Sequence, residues 1–211
     1  MRNLIIILLL VFPLSVYCQS EERKNYFPIW TFHQKNINIH GVSIGLGSSR
    51  AEYRNTNTNG LKFEIIGTGL LCLFLFQSPI QDYEGKYLEL RKEPKSEIIN
   101  GLNISISGTS SNSISNGISA GLVGQYNYQI NGISFSCLMN FSEIHNGLQM
   151  ALHNESYIVN GLQIGFANNS KNATGLSLGF VNSTENLKGI QIGVWNTNQK
   201  RTLPLINWSF K

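Results

Sequence analysis

The chain has 211 residues, a formal net charge of +4 and only 13% charged residues. Its Lys and Arg are scattered and form no stripe, which argues against a nucleic-acid partner. Low charge with abundant Gly, Asn and Ser suits an exported repeat protein or an outer-membrane barrel better than a cytosolic enzyme.

Met1-Arg2-Asn3 is a short basic start, Leu4 to Leu14 is apolar, and Val16 and Cys18 stand at −3 and −1 from a cleavage point before Gln19. This is the layout of a secretory signal peptide over residues 1–18. The apolar run is shorter than the ~20 residues of a spanning helix. Tyr17 is too bulky to precede an acylated Cys18. The mature chain, 19–211, reads as a single repeat-built β domain. Its two cysteines, Cys72 and Cys137, lie in apolar contexts and read as small buried side chains rather than a disulfide framework.

Tyr26 to His33 is aromatic, and Pro28 restricts it to an edge or a strand start. Asn36 to Gly47 alternates with period 2, as a strand does. It contains a degenerate copy of a phrase that recurs at Gly60. Ile65 to Phe76 is the most apolar stretch of the mature chain, and its glycines and lack of helical period predict one or two strands. Residues 78–97 are charged and carry Pro79 and Pro94, which predicts a surface loop inserted into the repeat, with a hairpin or helical turn at Tyr87-Leu88-Glu89-Leu90.

From Gly101 the phrase Gly-apolar-x-apolar-small-apolar-x-Asn becomes regular, and it is sharpest at Gly147, Gly161, Gly175 and Gly189, each followed seven residues later by Asn154, Asn168, Asn182 and Asn196. A fixed period means that each unit buries its face against its neighbours. In the Gly161 copy Leu162, Ile164 and Phe166 share one side of a strand, and Gly161, Gln163 and Gly165 the other. Glycine in every unit excludes a helix.

The leading expectation is an all-β, antiparallel up-and-down meander closing into a barrel of about 10–12 strands, its large residues toward lipid. Ile206, Trp208 and Phe210 alternate to an aromatic end, as in outer-membrane barrels. The alternative is a parallel β-solenoid with 14–16-residue coils, in which Leu162, Leu176 and Ile190 stack inside and the Asn residues form a corner ladder. That solenoid would bind a partner through its flat small-residue face.

Gly161-Leu-Gln-Ile-Gly-Phe-Ala-Asn168, Gly189-Ile-Gln-Ile-Gly-Val-Trp-Asn196 and the ending from Arg201 to Phe210 resemble a family of bacterial surface-repeat proteins built from G-[LV]-Q-I-[GA]-L-x-N units. The resemblance implies an exported protein of the outer membrane or cell surface of a Gram-negative bacterium. It carries no catalytic or binding residues.

No chemical motif competes with the repeat. His33, His40, His145 and His153 are the only histidines, and His145 and His153 are the one pair considered for a metal. No nucleophile elbow, phosphate loop or CxxC motif occurs. The expectation is a non-enzymatic surface protein without cofactor or metal, with outer-membrane lipid as partner, no nucleic acid, an unknown protein or glycan partner, and a structural, adhesive or passive-pore role. A secreted enzyme is the remote alternative.

Overall fold

The computed structural model describes residues 22–74, 78–80 and 84–210, so the signal-peptide reading of residues 1–18 lies outside the described residues. β1 (Lys24–Tyr26) and β2 (Ile29–Thr31) lie on either side of Pro28, and both run parallel to β3 (Ile37–Gly45). β4 (Thr56–Glu64), β5 (Glu97–Ser105), β6 (Ser110–Gly121), β7 (Gly124–Ser136) and β8 (Met139–Met150) follow, each parallel to the one before. β9 (His153–Thr197) is 45 residues of extended chain that wind onward from β8. β10 (Thr202–Ser209) turns back and pairs antiparallel with its end.

The fold is therefore a parallel β-solenoid, and the barrel expectation is corrected. The sheet runs from β1 to β10 as an open path and does not close on itself. Alternation alone does not distinguish the two, because large residues stay on one face whether the chain reverses or winds on. The short polar connectors decide it. Residues such as 169–174, expected as turns, are extended and form a second wall. Ser170 and Ala173 point inward and Lys171 lies outward, over the Tyr157 ring.

Register is set by one column of glycine. Gly41, Gly60, Gly101, Gly117, Gly132, Gly147 and Gly161 pair directly, one above the next, and Gly175 and Gly189 continue the stack. All nine have φ between +128° and +156°. The first-wall strands of the degenerate copies at Gly41 and Gly60 are thus in register with the regular ones.

The second correction concerns which face is inside. Leu162, Leu176 and Ile190 do stack, but they point outward; the small and polar face points in. Two residues after each column glycine stand Ser43, Lys62, Asn103, Ser119, Ser134, Gln149, Gln163, Ser177 and Gln191, all buried. Volume is the reason. Two sheets about 10 Å apart leave a narrow channel, and a 14-residue coil already fills it with an amide, an Asn, a small hydroxyl residue and one apolar side chain of the second wall such as Val159, Ala173 or Leu187. At Gly165 even a Cβ would meet Ala151 O at 2.2 Å.

Buried amides are tolerated because they are paired. Asn154 Nδ2 donates to Asn168 Oδ1 at 2.8 Å, Asn168 to Asn182 at 2.7 Å, and Asn182 to Asn196 at 2.7 Å. Gln163 Nε2 donates to Gln149 Oε1 at 3.0 Å. The sequence-expected ladder of Asn154, Asn168, Asn182 and Asn196 is therefore present, at an inner corner.

The insertion after β4 differs from expectation in one respect. Residues expected as strand around Cys72 form a short 3-10 helix, Gly69–Phe74, and the charged segment forms helix α1 (Glu84–Lys92). Cys72, Ile80 and Tyr87 pack on Tyr126, Phe141 and Tyr157 of the second wall. Tyr87 stacks on Tyr157 with centroids 4.3 Å apart. The insertion thus covers the outer side of the second wall.

β10 closes the C-terminal end. Ile206 lies opposite Ile192 and Trp208 opposite Ile190, while Asn207 and Ser209 are buried. The aromatic alternation of Ile206, Trp208 and Phe210, expected as the last barrel strand, is instead an antiparallel cap that prolongs the outward apolar face. Arg201 packs its guanidinium 4.5 Å over the Trp208 ring.

Candidate functional site

The outward side of the first wall is the most unusual surface of the molecule. At one, three and five residues after each column glycine the side chain points out, giving Val42, Ile44 and Leu46 in the first coil and Ile190, Ile192 and Val194 in the ninth. None of these positions, in any of the nine coils, is buried. Leu122 is 60%, Phe166 56% and Phe180 49% exposed. Phe166 and Phe180 stack with ring centroids 4.9 Å apart. Nine strands at about 4.8 Å spacing and five residues at about 3.3 Å give a flat face of roughly 700 Å². A typical monomer's largest apolar patch is about 300–600 Å². No Lys, Arg, Asp or Glu occupies any of the three columns.

One long edge of this wall is a second amide ladder. Asn100, Asn116, Asn131, Asn146 and Asn160 each donate to the Asn one coil back, beginning at Asn59, over 2.7–2.8 Å. His40 begins this row, 3.4 Å from Asn59, and Thr174 and Lys188 end it. The rim is neutral and hydrogen-bonded along six coils.

A second cluster lies inside the N-terminal coils. Lys62 Nζ is 2.9 Å from Glu64 Oε1 and 2.5 Å from Glu97 Oε2, and Arg54 Nη2 is 3.0 Å from Glu97 Oε1. Ser48 donates to Glu64 at 2.6 Å, and Thr109 donates to its other oxygen at 3.1 Å. Burial pushes the Glu64 carboxyl up, but the Lys62 ammonium and the hydrogen bonds outweigh it and hold the group below its ordinary 4.5. Phe32, itself buried, closes the end, with Lys62 Nζ 4.5 Å from its ring centroid. Arg54, Lys62 and Glu64 are wholly buried. Two cations balanced by two anions with no solvent access form a structural plug rather than a reactive site. Sequence reading missed it, because Lys62 and Glu64 sit at positions that read as an ordinary polar face and Glu97 belongs to the next coil.

The histidines do not converge. His33 Nε2 accepts from the Leu46 amide at 3.1 Å near the N-terminal end. His145 is fully buried in the inner column between Ile130 and Val159, whereas His153 lies against the Phe141 ring and 3.4 Å from Glu155. Among the described residues no group of three His, Cys, Asp or Glu is placed to hold a metal. Cys72 is buried as expected, and its thiol is raised to about 11 by burial; Cys137, expected buried, instead lies exposed in the apolar wall.

Burial lowers His145 from 6.5 to about 4, only partly opposed by a backbone hydrogen bond. The unfolded chain therefore takes up a proton first. Stability is full above about pH 6.5, falls as the pH drops toward 4, and levels off below. Between pH 7.5 and 4.5 this group is expected to cost about 2–3 kcal/mol. His145→Val, which copies Val159 one coil on, is expected to remove that part of the acid loss in urea titrations at the two pH values. An unchanged acid loss in the variant would remove His145 as its cause.

Among the described residues no helix is long and apolar enough to cross a membrane, a statement that does not bear on strands. Compared with models of known protein families, with curated proteins and with solved structures, the chain finds no match in any of the three.

Proposed function

We propose that this protein is a non-enzymatic, exported β-solenoid of the Gram-negative surface-repeat kind, acting at the outer membrane or cell surface as a docking module. The docking surface is the apolar wall, not the small-residue face considered from sequence, because that face is the interior. The observation that carries this reading is the asymmetry of the two walls. The insertion covers the aromatic residues of the second wall, and among the described residues nothing covers the first. Leaving roughly 700 Å² of apolar surface in water costs on the order of 20 kcal/mol, so a partner that covers it gains a large driving force.

Cys137 is a built-in reporter of that wall. In intact cells that make the protein, Cys137 is expected to react at least tenfold more slowly with a maleimide than in an Ile164→Glu/Leu178→Glu variant. Both substituted side chains point away from the core, so the variant keeps the fold, checked by circular dichroism. Equal labelling in the two proteins would mean that the wall is bare in the cell, and the docking reading would fall. Recovery of the protein in the cytosolic fraction would overturn export.

A further inference from the structure

We infer that the occupant of the apolar wall is a second copy of this chain, docked face to face about a two-fold axis that runs parallel to the strands between the fourth and fifth coils. The inference rests on the docking reading above and names the partner.

Three observations carry it. The first is size and composition. An axis between the fourth and fifth coils sets coils one to eight opposite one another, so about 630 Å² per copy and about 1,300 Å² in total are covered, within the range of a standard stable interface, and a wholly apolar face has the character of an obligate homodimer. The second is the rim. Surfaces that rest on anionic lipid carry flanking Lys and Arg. Here the long edge is a neutral amide ladder from Asn59 to Asn160, with Lys188 alone at its far end. A polar, uncharged edge beside an apolar centre fits a protein interface.

The third is shape. The middle column of the wall carries Ile104, then Ala120, then Phe135 in the third, fourth and fifth coils. Ala120 leaves a hollow of about 270 Å³ bordered by Ile104, Ile106, Leu122 and Phe135. An axis along the strands keeps each column opposite itself and reverses the coil order. Placed between the fourth and fifth coils, it sets Phe135 of each copy over the Ala120 hollow of the other. The largest side chain near the centre thus meets the smallest, twice by symmetry. Both walls repeat at about 4.8 Å, so the first, second and third coils meet the eighth, seventh and sixth at the usual sheet-to-sheet distance of about 10 Å, and the ninth coil and β10 extend beyond the overlap. Cys137 falls opposite Leu122 and becomes covered.

The test is sedimentation of the purified mature chain from about 1 to 100 µM, with Cys137 labelling on the same samples. The wild type is expected to be a dimer with protected Cys137. Ala120→Phe fills the hollow and is expected to weaken the dimer at least tenfold. Its side chain points outward, so the monomer remains folded. The swap Ala120→Phe/Phe135→Ala restores one large and one small residue per contact and is expected to recover most of the affinity. A dimer that is indifferent to Ala120→Phe, or a weakened one that the swap leaves weak, overturns this geometry. A wild type that stays monomeric at every concentration, or that floats with vesicles of zwitterionic or anionic lipid as a monomer, overturns self-docking. In that case continued protection of Cys137 in cells leaves the docking reading standing with a different partner, and loss of that protection removes both.

Discussion

Gly175→Ala is expected to destabilise the protein by more than about 4 kcal/mol, a loss reserved for a few severe mechanisms. Gly175 has φ +134°, a conformation that L side chains rarely adopt, and that strain alone costs about 1–3 kcal/mol. The new Cβ would also stand 2.0 Å from Gly161 O and 2.9 Å from Gly161 C. Both are backbone atoms, so no rotamer change relieves the clash. The coil spacing must open, and the Asn168–Asn182 and Ser170–Thr184 contacts, 2.7 and 2.9 Å long, go with it. Each coil depends on its neighbours, so the damage spreads along the stack. Urea unfolding checks this, with Thr174→Ala as control: Thr174 is the exposed neighbour, and its loss is expected to stay within about 0.5 kcal/mol. A Gly175→Ala midpoint equal to wild type would show that Gly175 is not stacked on Gly161.

Glu97→Ala is expected to cost about 3–5 kcal/mol, because it leaves buried cations without their partner. Lys62 keeps Glu64 at 2.9 Å, but Arg54 keeps only Glu52 at 3.7 Å, which is partly exposed. Replacing the pair together, as Lys62→Met/Glu97→Gln, restores charge balance and is expected to recover at least half the loss. An additive double variant would show that the two groups are not coupled. The cluster also has an acid limit. Glu64 is held below its ordinary 4.5 in the fold, so its contribution is present above that value and is lost as the pH falls through the folded-state value. His145 acts in a higher window, between about 6.5 and 4, so the two acid losses separate on the pH axis.

How much of this was legible in sequence varies from residue to residue. The glycine column and the division of Leu162, Ile164 and Phe166 from Gln163 and Gly165 follow from period and parity. So does the Asn ladder, once the solenoid is entertained. The insertion is legible as a charge-rich interruption, although its apolar start around Cys72 becomes a 3-10 helix rather than a strand. The buried plug is not legible, because Glu97 reaches Lys62 only through the stacking of β4 on β5. Cys137 reads as buried because it sits among apolar neighbours, and those neighbours are themselves outside.

The sequence by itself determined that the protein is a β repeat, which residues share each face, and where glycine and asparagine recur. Only the tertiary structure decided two things: that successive units wind in parallel, and that the apolar face is the outer one. The reason is that alternation is symmetric under both choices. A reversal and a continued coil preserve the same parity, and parity names two faces without saying which is enclosed. Enclosure is settled by the volume of a 14-residue coil. That channel is filled by Gln163, Asn168 and Ser170 with their hydrogen bonds made and by Val159, Ala173 and Leu187 from the second wall, which leaves no room for Leu162, Ile164 and Phe166.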